Sequence, residues 1–164
     1  MPTFDDVRRH LCERGIPVRH FEQSTPNAEM AARAVGCSVA EIAKSMLLFV
    51  GGHPCLVVTS GDAKVRSSQL KKAVGRKGKV LFPAADEVYE LTGYVPGGVC
   101  PFLLPEGLEI LLDTSLRRFT TVYPAAGDDH SAAAISFEML LDLTGGREVA
   151  VCGIAQDAGP TIQM

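Results

Sequence analysis

The chain has no apolar run close to the roughly 20 residues that a bilayer-crossing helix needs. Its first turn carries Asp5, Asp6, Arg8 and Arg9, which a secretory leader does not. The five cysteines, Cys12, Cys37, Cys55, Cys100 and Cys152, are odd in number and scattered, with no Cys-x-x-Cys pair, so neither a disulfide framework nor a zinc knuckle is indicated. These absences predict a soluble protein of a reducing cytoplasm, without a membrane partner. No Gly-x-Gly-x-x-Gly or Walker loop follows a strand pattern, which removes the usual dinucleotide and nucleoside-triphosphate readings. The net charge of -3 argues against a general nucleic-acid binder. Yet acids are missing between Asp62 and Asp86, a window that holds Lys64, Arg66, Lys71, Lys72, Arg76, Lys77 and Lys79. That stretch either meets a phosphate backbone or is a solvated helix face with acids nearby in space.

With 46% hydrophobic and 21% charged residues, the 164-residue chain has the size of one globular domain, residues 1–164, with a real core. The patterns mix short helices and strands without repeats. Thr3 with Asp6 predicts a capped helix stopped by Gly15, and Thr25-Pro26 an N-cap and first-turn proline opening an Ala-rich helix that ends at Gly36. Ser38 with Glu41 predicts a short helix ending near Lys44, followed by a hairpin of Met46–Val50 and Cys55–Thr59. Further helices are expected at Ser67–Val74, at Asp86–Leu91 and after Ser136. Short strands are expected near Val18–Phe21, Val80–Phe82, Leu108–Leu112, Thr120–Tyr123, Ala133–Ile135 and Val149–Cys152. The tight hairpin and irregular helix placement point to an α+β domain. Its sheet should be curved, mixed and partly open, barrel-like, flanked by short helices.

Three segments carry chemistry. Lys44 is a cation in Ile42-Ala43-Lys44-Ser45-Met46-Leu47-Leu48-Phe49-Val50, the most apolar stretch of the chain. It either snorkels to water or floors a pocket that suits a phosphate, a carboxylate or a developing oxyanion. The second segment, Thr92-Gly93-Tyr94-Val95-Pro96-Gly97-Gly98-Val99-Cys100-Pro101-Phe102, is either a tight turn or a backbone-exposing loop whose amides converge on one oxygen. In the third, Tyr123 to His130, a strand end runs into a small-residue loop closed by a histidine that either lies on the surface or serves a substrate.

Taken in order and spacing, these segments resemble the YbaK/ProX family of aminoacyl-tRNA deacylases, relatives of the editing domain in bacterial-type prolyl-tRNA synthetases. The resemblance is carried by Phe21 to Ala32, Glu41 to Leu47, Val57 to Asp62, the 92–101 loop, Ala125-Ala126-Gly127 and His130, and runs from about Val18 to Gly146. It implies hydrolysis of the ester joining a wrong amino acid to the terminal adenosine of a tRNA, with no metal, no cofactor and no covalent intermediate. Lys44 matches the family's essential lysine, and Gly97 and Pro101 match its Gly-x-x-x-Pro loop. His130 falls where some members carry a substrate-binding histidine. On this basis Lys44, Gly97 and Gly98 are the expected catalytic groups. Thr25, Tyr94, Val99, Cys100, Pro101, Phe102, Gly127 and His130 are the expected substrate contacts, with Tyr94 or Phe102 stacking on the terminal adenine. Lys64, Arg66, Lys71, Lys72 and Arg76 are the expected tRNA contacts. The partners implied are aminoacyl-tRNA and an aminoacyl-tRNA synthetase, the protein itself being a monomer or homodimer.

The chain departs from the family pattern in Asp128-Asp129 before His130, in having one histidine where some relatives have two, and in Leu103-Leu104 after Phe102. Two rival readings follow from the residues. One is a Cys100 thiol hydrolase activated by His130. The other is a module that binds charged tRNA without chemistry.

Overall fold

Local capping sets most helix ends in the computed structural model, which describes residues 1–154. The first helix, α1 (Phe4–Cys12), starts where the Thr3 hydroxyl accepts the Asp6 N–H and the Asp6 carboxylate accepts the Thr3 N–H. Four later helices follow: α2 (Ala28–Val35), α3 (Ser67–Val74), α4 (Ala85–Thr92) and α5 (Phe137–Thr144). Each ends on a left-handed glycine, respectively Gly36, Gly75, Gly93 and Gly145. Asn27, not Thr25, caps α2: its Oδ1 accepts the Met30 N–H at 2.9 Å, while the Thr25 hydroxyl donates to the Asp129 carbonyl.

Ten short strands complete the described chain: β1 (Val18–His20), β2 (Ile42–Val50), β3 (His53–Ser60), β4 (Ala63–Val65), β5 (Val80–Leu81), β6 (Glu109–Asp113), β7 (Tyr123–Pro124), β8 (Ser131–Ala133), β9 (Arg147–Val149) and β10 (Cys152–Ile154). The main sheet runs β5-β2-β3-β6-β9, with β7 pairing the start of β2. It is mixed: β2 is antiparallel to β3 and β5, whereas β7 on β2, β6 on β3 and β9 on β6 are parallel. The small antiparallel pairs β1-β8 and β4-β10 flank it, and the sheet does not close into a barrel.

Helices and loops cover both faces of this sheet. Leu47, Leu56, Val58 and Leu112 face one cluster with Val7, Leu11, Tyr94, Phe102 and Leu140, while Met46, Leu48, Val50, Val57 and Leu111 face another with Leu70 and Val151. A strand buried on both faces is apolar throughout, without the alternation of a half-exposed one.

Two sequence expectations change here. The Glu41 carboxylate does accept the Ser38 N–H and hydroxyl, but this caps only a 3-10 turn, Val39–Glu41. Ile42 is already extended, so Lys44 is the third residue of β2 instead of a helix end. Pairing to β3 and β7 outweighs a cap that fixes one turn. The expected strand Val149–Cys152 is divided, because the chain crosses from β6 to β4 there. The crossing is held by the Val151 N–H on buried Asp113 Oδ1 at 2.8 Å and by the Arg66 N–H on the Val151 carbonyl at 2.8 Å.

At the far end of β2, the hairpin tip meets the loop after α3. The Gly51 N–H donates to the Lys79 carbonyl at 3.0 Å, and a Cβ on either Gly51 or Gly78 would collide with the other segment's backbone.

Candidate active site

Where β7 leaves β2 after Ala43, the outer edge of β2 opens into a cavity of about 570 Å³. One wall is the start of α2 with the segment before it, including Thr25, Pro26 and Glu29. Another is Gly97 and Val99 of the glycine-proline loop, a third is Tyr123 and Ala125 after the parallel crossing, and the floor is Ile42 to Met46. Lys44 is the only lysine or arginine in this lining, and Glu29 the only carboxylate.

Lys44 is half-buried. Burial first, and then the nearby Lys64 charge, lower its pKa from the ordinary lysine range, against weaker opposing effects of Cys152 and Asp62. Neither opposing group is a counter-ion in practice. Burial pushes the Cys152 thiol up to about 12, so it stays neutral near pH 7. The Asp62 carboxylate is occupied by Arg118 at 2.6 Å and the Ser60 hydroxyl at 2.7 Å. Among the described residues Lys44 therefore faces the cavity without a carboxylate partner, as an anion-binding floor requires.

The glycine-proline loop divides between cavity and core. Gly97, with φ of 91°, stands beside Pro26 and Asp129, and it lines the cavity together with Val99. Gly98 does not supply a free amide, which corrects the expectation of paired donors: its N–H closes a turn on the Val95 carbonyl at 3.0 Å, and its Cα lies against the Asp128 backbone. Tyr94, Cys100 and Phe102 are corrected as substrate contacts too, for they are 2%, 0% and 1% exposed in the core. The Tyr94 hydroxyl donates to the Phe102 carbonyl at 2.6 Å, so neither ring is free to stack on a base. Burial raises the Cys100 thiol to about 11, which removes the thiolate that a nucleophile needs. Pro101 lies in a separate depression of about 330 Å³ with His10 and Leu104, away from Lys44. The aromatic residue that does line the site is Tyr123, placed by the parallel pairing of β7, a long-range contact with no local sequence signal.

His130 and Gly127 also fall outside the cavity lining. The His130 Nε2 sits 3.1 Å from the Asp129 carboxylate, and its ring lies 5.9 Å from that of His20, itself 3.1 Å from Asp128. Asp128-Asp129 thus serve as partners for these two histidines. Asp129 also holds Ser24 and Thr25, clipping the loop to the chain that enters α2. Gly127, φ 109°, lets the loop pass against Phe4 and Val7 of α1. Of the basic residues, Lys72 and Arg76 are exposed with Lys77 and Lys79 beside them, none in an ion pair among the described residues. Lys71 is half-buried, as are Lys64 and Arg66 in and after β4. Among the described residues no group of three or more His, Cys, Asp or Glu side chains is arranged to hold a metal.

An open mixed sheet with a lysine-floored cavity at its edge places the chain in a known structural class. It superposes on a crystal structure described as a proposed trans-editing enzyme for prolyl-tRNA synthetase with a TM-score of 0.81 and 30% identity, covering 92% of this chain and 97% of that one. A family profile described as aminoacyl-tRNA editing domain matches residues 22–143, and the chain belongs to that family. YwhH of Bacillus subtilis (strain 168), a protein without an assigned function, is 41% identical over 137 residues, 82% of this chain and 86% of YwhH. The proline–tRNA ligase of Bacillus licheniformis is 34% identical over 94 residues, which span 57% of this chain and 16% of the ligase.

Proposed function

We propose that this protein is a trans-editing hydrolase that removes mischarged amino acids from tRNA. Water adds to the acyl carbonyl carbon, the bond from that carbon to the ribose oxygen breaks, and the water proton passes to the leaving oxygen. The products are a free amino acid and a tRNA with its terminal hydroxyl restored. The observation that carries this reading is Lys44, a half-buried cation without a carboxylate partner among the described residues, set in the floor of the cavity opposite the Gly97 bend. Even with a lowered pKa, an ammonium is better suited to anchoring the terminal nucleotide or stabilising a developing oxyanion than to abstracting a proton. Gly97 contributes backbone, and Tyr123 offers a ring for the unpaired adenine. Lys72 and Arg76, with Lys77 and Lys79, supply phosphate contacts to the tRNA. Similarity to a segment of a proline–tRNA ligase supports work beside a synthetase, with small side chains such as alanyl, seryl, threonyl or cysteinyl as the esters to try first.

The test is amino-acid release from a panel of mischarged tRNAs. Lys44→Ala should lower release by orders of magnitude while Cys100→Ala leaves it near wild type. Binding of charged tRNA without release by the wild type would replace this reading with that of a non-catalytic module.

A further inference from the structure

The outer edge of β2 has a gap, Lys44 to Leu48, that no strand of the described chain pairs with. The hairpin pairs Val50 with His53, and the Gly51 N–H points to β5, so by the period of two the backbone groups of Phe49, Leu47, Ser45 and Ala43 point to that same outer edge. There β5 covers Phe49 and Val50, and β7 covers Ile42 and Ala43 and ends at Pro124. Between them no strand of the described chain pairs with Lys44 to Leu48, and of the two residues there whose backbone points outward, Ser45 and Leu47, Ser45 lines the cavity. The Ser45 hydroxyl is buried with no partner among the described residues. Buried groups of this kind are almost always satisfied. Ser45 lines the cavity, and Lys44 beside it supplies the cation.

On the deacylase reading above, we infer that the open edge at Ser45 is the subsite for the amino-acid end of the substrate. The Ser45 carbonyl accepts from the α-ammonium, and the Ser45 N–H donates to the acyl carbonyl oxygen. An aminoacyl ester carries a donor and an acceptor with the spacing of one residue's backbone, so it completes the ladder as a strand of a single residue. The gap is bounded by β7 on one side and β5 on the other. Recognition of this kind reads the part common to all amino acids and leaves the side chain to the remaining walls, Pro26, Ala31 and Val99 among them. Ser45 is a positioning residue here, acting through its main chain.

The experiment is amide hydrogen exchange on the full chain, free and with 3′-aminoacylamino-3′-deoxyadenosine in alanyl, seryl and cysteinyl forms, which keep ammonium and carbonyl but do not hydrolyse. In the free protein the Ser45 amide should exchange at least on the order of tenfold faster than those of Lys44 and Met46, and slow on binding to match them. The N-acetyl derivatives, lacking the ammonium, should bind on the order of tenfold more weakly. A Ser45 amide as slow as its neighbours before binding, or unchanged while amides around Gly97 respond, overturns the inference. So does failure of every analogue to bind. Release from charged tRNA is scored separately. Ser45 protection without release would remove the hydrolase reading and keep this subsite, whereas release without Ser45 protection would do the reverse.

Discussion

At its distal end β2 is held on both edges, by β3 and, at Phe49 and Val50, by β5, and it buries Leu48 and Val50 completely. Around Lys44 and Ser45, between β7 and β5, one edge carries no strand, a half-buried cation has no carboxylate partner, and a serine hydroxyl is unsatisfied among the described residues. The two parts belong to one strand, Ile42 to Val50, whose apolar sequence is broken at Lys44 and Ser45. On the proposed function, the difference teaches that polar groups are left unpaired on the ligand's side of the strand, while the stabilising contacts are concentrated a few residues on. Unsatisfied polar groups weaken a fold, and dense packing beside them offsets that weakness.

The largest test of this contrast is functional. Lys44→Ala should lower release of amino acid from charged tRNA by on the order of 10²–10³-fold with little loss of stability, measured by single-turnover assay and thermal melting. Leu48→Ala, at the other end, should cost about 2–5 kcal/mol in denaturant unfolding and leave the turnover of the folded fraction close to wild type. If the two substitutions gave the same profile, the division of β2 would be lost.

A smaller effect sharpens the cation itself. Lys44→Met should raise the melting temperature, because it removes a half-buried charge that has no carboxylate partner among the described residues. The sign with pH follows from linkage. The folded lysine has the lower pKa, so the unfolded chain holds the proton more tightly, and wild-type stability gains as pH rises through the folded value. The advantage of Lys44→Met should shrink over that window, and an advantage constant with pH would show that packing, not charge, is its source. Last, replacing Lys72 and Arg76 by Gln should reduce the salt slope of tRNA binding by about one for each phosphate no longer neutralised. An unchanged slope would leave those residues as solvated surface.

Most of the element order was legible because it is written locally. Thr3 with Asp6, Ser136, and the terminal glycines Gly36, Gly75, Gly93 and Gly145 mark helix ends through contacts within a turn or two. Lys44 stood out because a charge among apolar residues is visible without coordinates, as was the bend at Gly97. What the residues did not disclose was which side of each segment turns inward. Tyr94-to-Phe102 contains both a cavity wall and a piece of core, and glycine and proline announce a bend without giving its direction. The strand register of Lys44, the place of Tyr123 and the open edge at Ser45 all depend on β7, whose pairing joins residues about eighty positions apart. The capping pair Ser38 and Glu41 is real and still misled, since it holds a single turn before sheet pairing takes over.

The interlock of Gly51 with Gly78 reaches beyond the hairpin it closes. It clamps the Arg76-to-Lys79 segment to the tip of the sheet, with no clearance for a methyl group on either partner. Two residues without charge or side chain therefore fix where Arg76, Lys77 and Lys79 stand. An alanine at either would shift the electrostatic landing zone for a polyanion while changing none of its charges.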